Sequence, residues 1–317
     1  MTPRSASPWR AWMKIGLYIR LFGRPGMEPA PPSWRSIRGE ALAAEAAGFD
    51  LVVLEDALLY PDDDGNLGLW DAVSVAAGIA SATETIGIGH AVINNPYRHP
   101  ALVARIAATL DEISIGRYTL GIGLGNTPDD YPRFGIDADR RYSRFAEAIQ
   151  IISSLLRTGR ASFEGEFYHA PAAELILRGP RPGGPPIAIA GGKPKMLRLA
   201  ARFADEWNWW TSESAGATHL QALGEEVDRA CEEVDRDPAT LRRSVDLFSV
   251  ATPGTPAASS PEALQLGGSP DQMADSILAY GALGFDEVRC DLKVSPDASR
   301  PEAIAWMADV VARVHAG

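Results

Sequence analysis

The chain has 317 residues, of which 46% are apolar and 22% charged, with a formal net charge of −11. That is the composition of a globular protein able to bury a large core, and an α/β barrel of this length is commonly one domain. The negative balance argues against nucleic acid or an anionic membrane as partner, since both need a basic face.

Residues 1–12 lack the apolar core of a signal peptide and read as a loose N-terminal extension. No apolar run approaches the ~18 residues needed to span a bilayer. Cys231 and Cys290 lie far apart, each in a regular element, and are expected as reduced thiols of a cytoplasmic protein.

In chain order, strands are expected near 14–19, 50–54, 86–90, 117–123, 186–190, 206–210, 244–250 and 287–291. Helices are expected at about 35–47, 70–80, 99–113, 138–158, 194–204, 217–234, 270–282 and 300–314. Eight strand–helix alternations predict a (β/α)8 TIM barrel, a single domain over 1–317. Two segments stand outside the repeat and are expected as insertions, 159–185 and the Ala/Pro/Ser/Gly-rich 251–268. An internal echo supports the barrel: Ala46-Ala47-Gly48-Phe49-Asp50 returns in outline as Ala282-Leu283-Gly284-Phe285-Asp286. In each, a helix ends on a glycine suited to the left-handed position and a strand follows.

The densest stretch runs from Ile86 to Asn126. A strand breaks into Ala91-Val92-Ile93-Asn94-Asn95-Pro96. Pro100 opens a helix, Gly116 stops it, and a second strand ends in Gly121-Ile122-Gly123-Leu124-Gly125-Asn126. Leu102, Ile106, Leu110 and Ile113 recur at helical spacing and predict a buried face. The glycine spacing is G-x-G-x-G, not the dinucleotide fingerprint, because Asn126 occupies the third glycine position. Two readings stay open: close packing at a strand end, or approach of a planar ring to backbone without side chains, with Asn126 as a polar contact.

Ala190-Gly191-Gly192-Lys193-Pro194 links an apolar strand to a helix, a geometry that points N–H groups at an anion such as phosphate. Glu55 and Asp56 end the second strand as candidate acid or base groups. No histidine pair has metal-ligand spacing, and Asp62-Asp63-Asp64-Gly65 lacks the sixth-position glycine and twelfth-position acid of a calcium loop, so no metal is expected. Trp207 and Trp209 should turn one way from the sixth strand and Trp210 the other, core packing being the default.

Asn95-Pro96-Tyr97-Arg98-His99-Pro100, Ala108-Thr109-Leu110-Asp111, Gly116-Arg117, Leu120 to Gly125, Glu45 to Asp50, Ala190-Gly191-Gly192 and Leu199 to Asp205 together resemble the bacterial luciferase-like family of flavin- and F420-dependent oxidoreductases. The resemblance implies a cofactor ring over a non-prolyl cis peptide at Ala91–Val92. It also implies contacts from Asn94, Gly123, Gly125 and Asn126, and a phosphate at Ala190, Gly191 and Gly192. Many members carry Asp-His at the end of the second strand; here Ala57 replaces the histidine, which tips the expectation toward reduced FMN and O2, a monooxygenase acting on a small organic substrate. F420-dependent hydride transfer is the alternative, favoured by Asn95-Pro96-Tyr97, and a non-catalytic flavin-binding barrel is the third reading. The resemblance further implies a homodimer.

Overall fold

The computed structural model describes residues 13–23, 31–62, 65–125, 131–137, 139–211, 217–253, 267–294 and 299–317. The expected extension at 1–12, Asn126, the Asp63–Asp64 pair and most of 251–268 lie outside them.

Eight parallel strands close into a barrel: β1 (Lys14–Tyr18), β2 (Leu51–Leu54), β3 (Gly87–His90), β4 (Tyr118–Gly123), β5 (Ile187–Ala190), β6 (Glu206–Thr211), β7 (Arg242–Ala251) and β8 (Glu287–Lys293). Each pairs with the next in sequence, and β8 returns to β1 through Lys14↔Glu287 and Leu17↔Cys290. Closure leaves none of the eight barrel strands with an unpaired edge. The helices between them are α1 (Trp34–Ala46), α2 (Ala72–Ala82), α3 (Pro100–Ile113), α4 (Arg141–Thr158), α5 (Pro194–Phe203), α6 (Ala217–Glu232), α7 (Pro270–Ala282) and α8 (Arg300–Ala316). This is the expected TIM barrel.

Both halves of the sequence echo take the left-handed turn, with φ +82° at Gly48 and +93° at Gly284. Phe49 and Phe285 are then buried. The aspartates that follow do the same work. Asp50 accepts from Ile15 N–H at 2.8 Å and Asp286 from Arg243 N–H at 2.9 Å. Asp205 repeats the device on Ile187 N–H at 2.7 Å. In each case a carboxylate ahead of one strand satisfies a backbone donor on a neighbouring strand, where a lost partner would be costly.

Residues 159–185 contain an antiparallel hairpin, Arg160–Glu164 against His169–Glu174. Its turn sits on α4: the Glu147 carboxylate accepts from the N–H groups of Glu166, Phe167 and Tyr168 at 2.9–3.0 Å.

One expectation fails. Leu110 is buried, but Leu102 is 54% and Ile113 39% exposed. The buried face of α3 is Val103, Ala104, Ala107, Ala108, Leu110 and Asp111. Apolar residues occur all round this helix, so periodicity cannot fix its rotation; the small-residue face lets the helix axis approach the barrel more closely.

Candidate functional site

The C-terminal mouth of the barrel is shaped by the segment after β3. The Ala91–Val92 peptide is cis, and Ile93–Asn94 then runs parallel to the end of β4, with Ile93↔Ile122 and Asn94↔Gly123 in register. This fold-back explains two of the β4 glycines. A Cβ on Gly121 would lie 1.7 Å from the His90 carbonyl oxygen, and one on Gly123 would lie 2.9 Å from Val92 Cγ2. The space beside them holds the chain's own backbone and Val92, so the close-packing reading accounts for both. Gly125 is confined in the same way by Tyr131 and Asn94.

Asp56 holds the segment in place. Its Oδ2 accepts from Asn94 N–H at 3.0 Å and from Arg98 Nη1 at 2.6 Å, and its Oδ1 accepts from Arg98 Nη2 at 3.2 Å. Arg98 also reaches Asp71, the side-chain N-cap of α2, at 3.2 Å. Asn94 is buried; its Oδ1 accepts from the Tyr131 hydroxyl at 2.9 Å, while its Nδ2 has no hydrogen-bond partner among the described residues. Behind the segment, His90 Nδ1 meets the Tyr118 hydroxyl at 2.8 Å. Burial drives the His90 pKa down to about 4, against the opposing pull of Asp56, so the ring is neutral.

The barrel interior is polar where the interior of such a barrel is ordinarily filled by branched apolar side chains. Glu206, Ser244, Asp246, Glu287 and Arg289 are all buried there. Arg289 spans the interior to Glu206, donates to Glu287 at 2.6 Å and lies 3.8 Å from Asp246. Burial and Arg289 act oppositely on all three acids. At Glu206 burial is outweighed by Arg289, Arg242, Ser244 and Lys14 together and the pKa is lowered; at Glu287 and Asp246 burial prevails and the pKa values are raised. Burial likewise pushes the Tyr18 phenol well above its usual range. Towards the N-terminal face, a cavity of about 400 Å³ is lined by Lys14, Arg242, Glu206, Glu287 and neighbouring charged groups.

Across the mouth, Ala190 ends β5 and Gly191-Gly192-Lys193 leads into α5. Gly191 has φ +137°, and a Cβ on Gly192 would strike the Trp209 ring at 2.7 Å. Trp207 Nε1 donates to the Gly191 carbonyl at 2.9 Å and sets the turn from behind. Ser33, Asp71, His99, Ser269 and Ser299 cap their helices through side chains, but Arg140 at the N-cap of α4 and Lys193 at the N-cap of α5 make no such bond. Pro194 has no N–H, and the N–H groups of Met196 and Leu197 donate to the Lys193 carbonyl at 2.8 and 3.0 Å, so the donors left for an anion are those of Gly192, Lys193 and Lys195. Lys193 and Lys195 are exposed beside it.

The candidate residues therefore divide. Ala91, Val92, Asn94, Gly123 and Gly125 form one side of the mouth, and Ala190, Gly191 and Gly192 form another. Asp56 is buried and ion-paired, whereas Glu55, one residue earlier, acts electrostatically on Tyr18 from the inner face. Of the tryptophans, Trp207 is buried, Trp209 half-buried and Trp210 54% exposed. Sequence reasoning missed Tyr18, Asn208, Asp246 and Arg289. A signal existed: Glu206-x-Asn208, Ser244-x-Asp246 and Glu287-x-Arg289-x-Asp291 place polar groups at period two in strands buried on both faces.

Solved structures share this architecture. An F420-dependent secondary alcohol dehydrogenase superposes with a TM-score of 0.79 at 17% identity, covering 96% of this chain and 99% of that one. A monooxygenase from Streptomyces bottropensis superposes with a TM-score of 0.74 at 21% identity, covering 94% and 98%. In sequence, an F420-dependent glucose-6-phosphate dehydrogenase from Beutenbergia cavernae is 34% identical over 193 residues, 59% of this chain and 55% of that protein. The chain spans between 45% and 62% of the length of such curated relatives. The profile of the luciferase-like monooxygenases matches residues 13–260, and the chain belongs to that family.

Proposed function

We propose that this barrel is an oxidoreductase that binds the deazaflavin F420 and exchanges hydride with a small organic substrate. The observation that carries the reading is the α5 entrance: a glycine turn and an uncapped helix start, with Lys193 and Lys195 beside it. These groups suit a phosphate followed by an acidic tail. Across the mouth, the segment from Ala91 to Asn94, with an Asn94 Nδ2 that has no partner among the described residues, suits a planar ring. When bound, the cofactor supplies the redox chemistry; the protein supplies position, water exclusion and proton control. The F420-dependent relatives support this choice over the FMN preferred from Ala57 alone.

The reading extends to one domain over 1–317, a cytoplasmic location and a homodimer. Trp34 on α1 and Leu102 and Ile113 on α3 are the exposed apolar side chains proposed for the dimer contact. Light scattering at micromolar concentration tests it, and a monomer rejects it.

FMN-dependent monooxygenation is the second reading, supported by Ala57 and by the likeness to the monooxygenase fold. Titrating F420 and FMN against the apoprotein by fluorescence decides between them. Tighter F420 binding is expected, and tighter FMN binding overturns the proposal. Binding without hydride transfer or oxygen uptake would favour a non-catalytic barrel.

A further inference from the structure

The floor of the mouth holds a polar pair to which no role is yet assigned. Tyr18 ends β1 and Asp246 lies within β7, two strands away around the barrel, so their side chains meet only through its interior. The Tyr18 hydroxyl donates to the Ala91 carbonyl at 3.5 Å and has the Asp246 carboxylate as its other hydrogen-bonding neighbour. Its ring packs against Phe248 with centroids 5.5 Å apart, and Phe248 meets the edge of Trp210 at the rim, 6.3 Å away. The phenol thus lies beneath the cis segment and beside an apolar wall.

Asp246 is held from behind. Its Oδ1 accepts from Asn208 Nδ2 at 3.1 Å and lies 3.8 Å from Arg289 Nη1. The other ionisable groups acting on this pair are Glu55 from β2 and Glu206 from β6. Burial raises the Asp246 pKa, opposed by Arg289, Tyr18 and Asn208, and it keeps the Tyr18 phenol protonated. At the end of β2, Ala57 has nothing to ionise and Asp56 is engaged by Arg98.

We propose that Tyr18 is the hydroxyl that meets a substrate alcohol or carbonyl in the mouth, with Asp246 as the positioning residue that takes and returns its proton. The inference rests on the hydride-transfer reading. In the oxidative direction the substrate C–H electron pair leaves as hydride to the deazaflavin. The substrate O–H proton passes to the Tyr18 oxygen while the Tyr18 proton passes to Asp246. A carbonyl forms, the cofactor is reduced by two electrons, and Asp246 ends neutral. Reduction runs the same transfers backwards. The substrate class is therefore an alcohol–carbonyl pair carrying apolar surface for Phe248 and Trp210.

Infrared difference titration of the apoprotein tests the pair without turnover. A neutral-carboxyl band should appear as pH falls and should vanish in Asp246→Asn. Removing the phenol donor in Tyr18→Phe should move the midpoint of that band upward by about one pH unit, because the donor stabilises the carboxylate. An unmoved midpoint in a folded Tyr18→Phe protein overturns the coupling. Adding F420 should raise the wild-type midpoint by displacing water above Tyr18; an unmoved midpoint with F420 bound overturns the placement. If F420 does not bind, the reading of function fails separately, and the Tyr18→Phe comparison still decides whether the pair is coupled.

Discussion

Arg98 grips Asp56 through both terminal nitrogens, at 2.6 and 3.2 Å, and so ties the segment after β3 to the end of β2. The Asp56 side chain is 5% exposed and that of Arg98 17%, so the pair is shielded from water and salt. Asp56→Ala leaves Arg98 and the Asn94 N–H without this acceptor and should lower stability by about 3 kcal/mol. Asp56→Asn keeps one acceptor oxygen and should cost less. Urea unfolding of both variants measures the difference, and an unchanged midpoint for Asp56→Ala rejects the clamp.

The glycines of the mouth should differ in tolerance. Gly121→Ala puts a methyl 1.7 Å from a backbone oxygen that cannot swing away, whereas on Gly89 the nearest atom is a Val53 methyl at 3.4 Å. Gly121→Ala should displace the cis segment and abolish cofactor binding, with a clear loss of thermal stability. Gly89→Ala should fold and bind normally. Equal behaviour of the two in thermal melts and cofactor titration would refute the packing argument.

For the proposed phosphate site, Gly192 is a poor reporter: any side chain there collides with Trp209 whether or not an anion binds. The exposed lysines are better placed. Lys193→Glu and Lys195→Glu should each weaken F420 binding about five- to ten-fold at low salt, and the effect should shrink as salt is added. An unchanged Kd for the double variant would remove the phosphate from this turn.

His90 gives a pH signature. Its folded pKa, about 4, lies below the ordinary 6.5. The folded state thus resists a proton that the unfolded state takes up. The stabilisation is complete above pH 6.5 and is lost as pH falls towards 4, by on the order of 3 kcal/mol. His90→Gln should flatten unfolding free energy across that window. If the variant loses stability as steeply as the parent between pH 6.5 and 4, another group is responsible.

The barrel was legible in the sequence because its signals are local. Apolar strand runs, helix starts such as Pro100, and left-handed glycines such as Gly48 and Gly284 need no distant partner to be read. The glycine turn into α5 was legible for the same reason, since the glycine pair and the helix after it are neighbours in the chain. The rotation of α3 was not, because apolar residues occupy every face and only packing against the barrel selects among them. Nor was the difference between Glu55 and Asp56. They are adjacent and chemically alike, and strand alternation sends one toward the interior and the other to Arg98, 42 residues away. Tyr18, Asp246 and Arg289 belong to three strands spread over the whole chain. Barrel closure alone brings them together, and the low dielectric of the interior then sets their protonation.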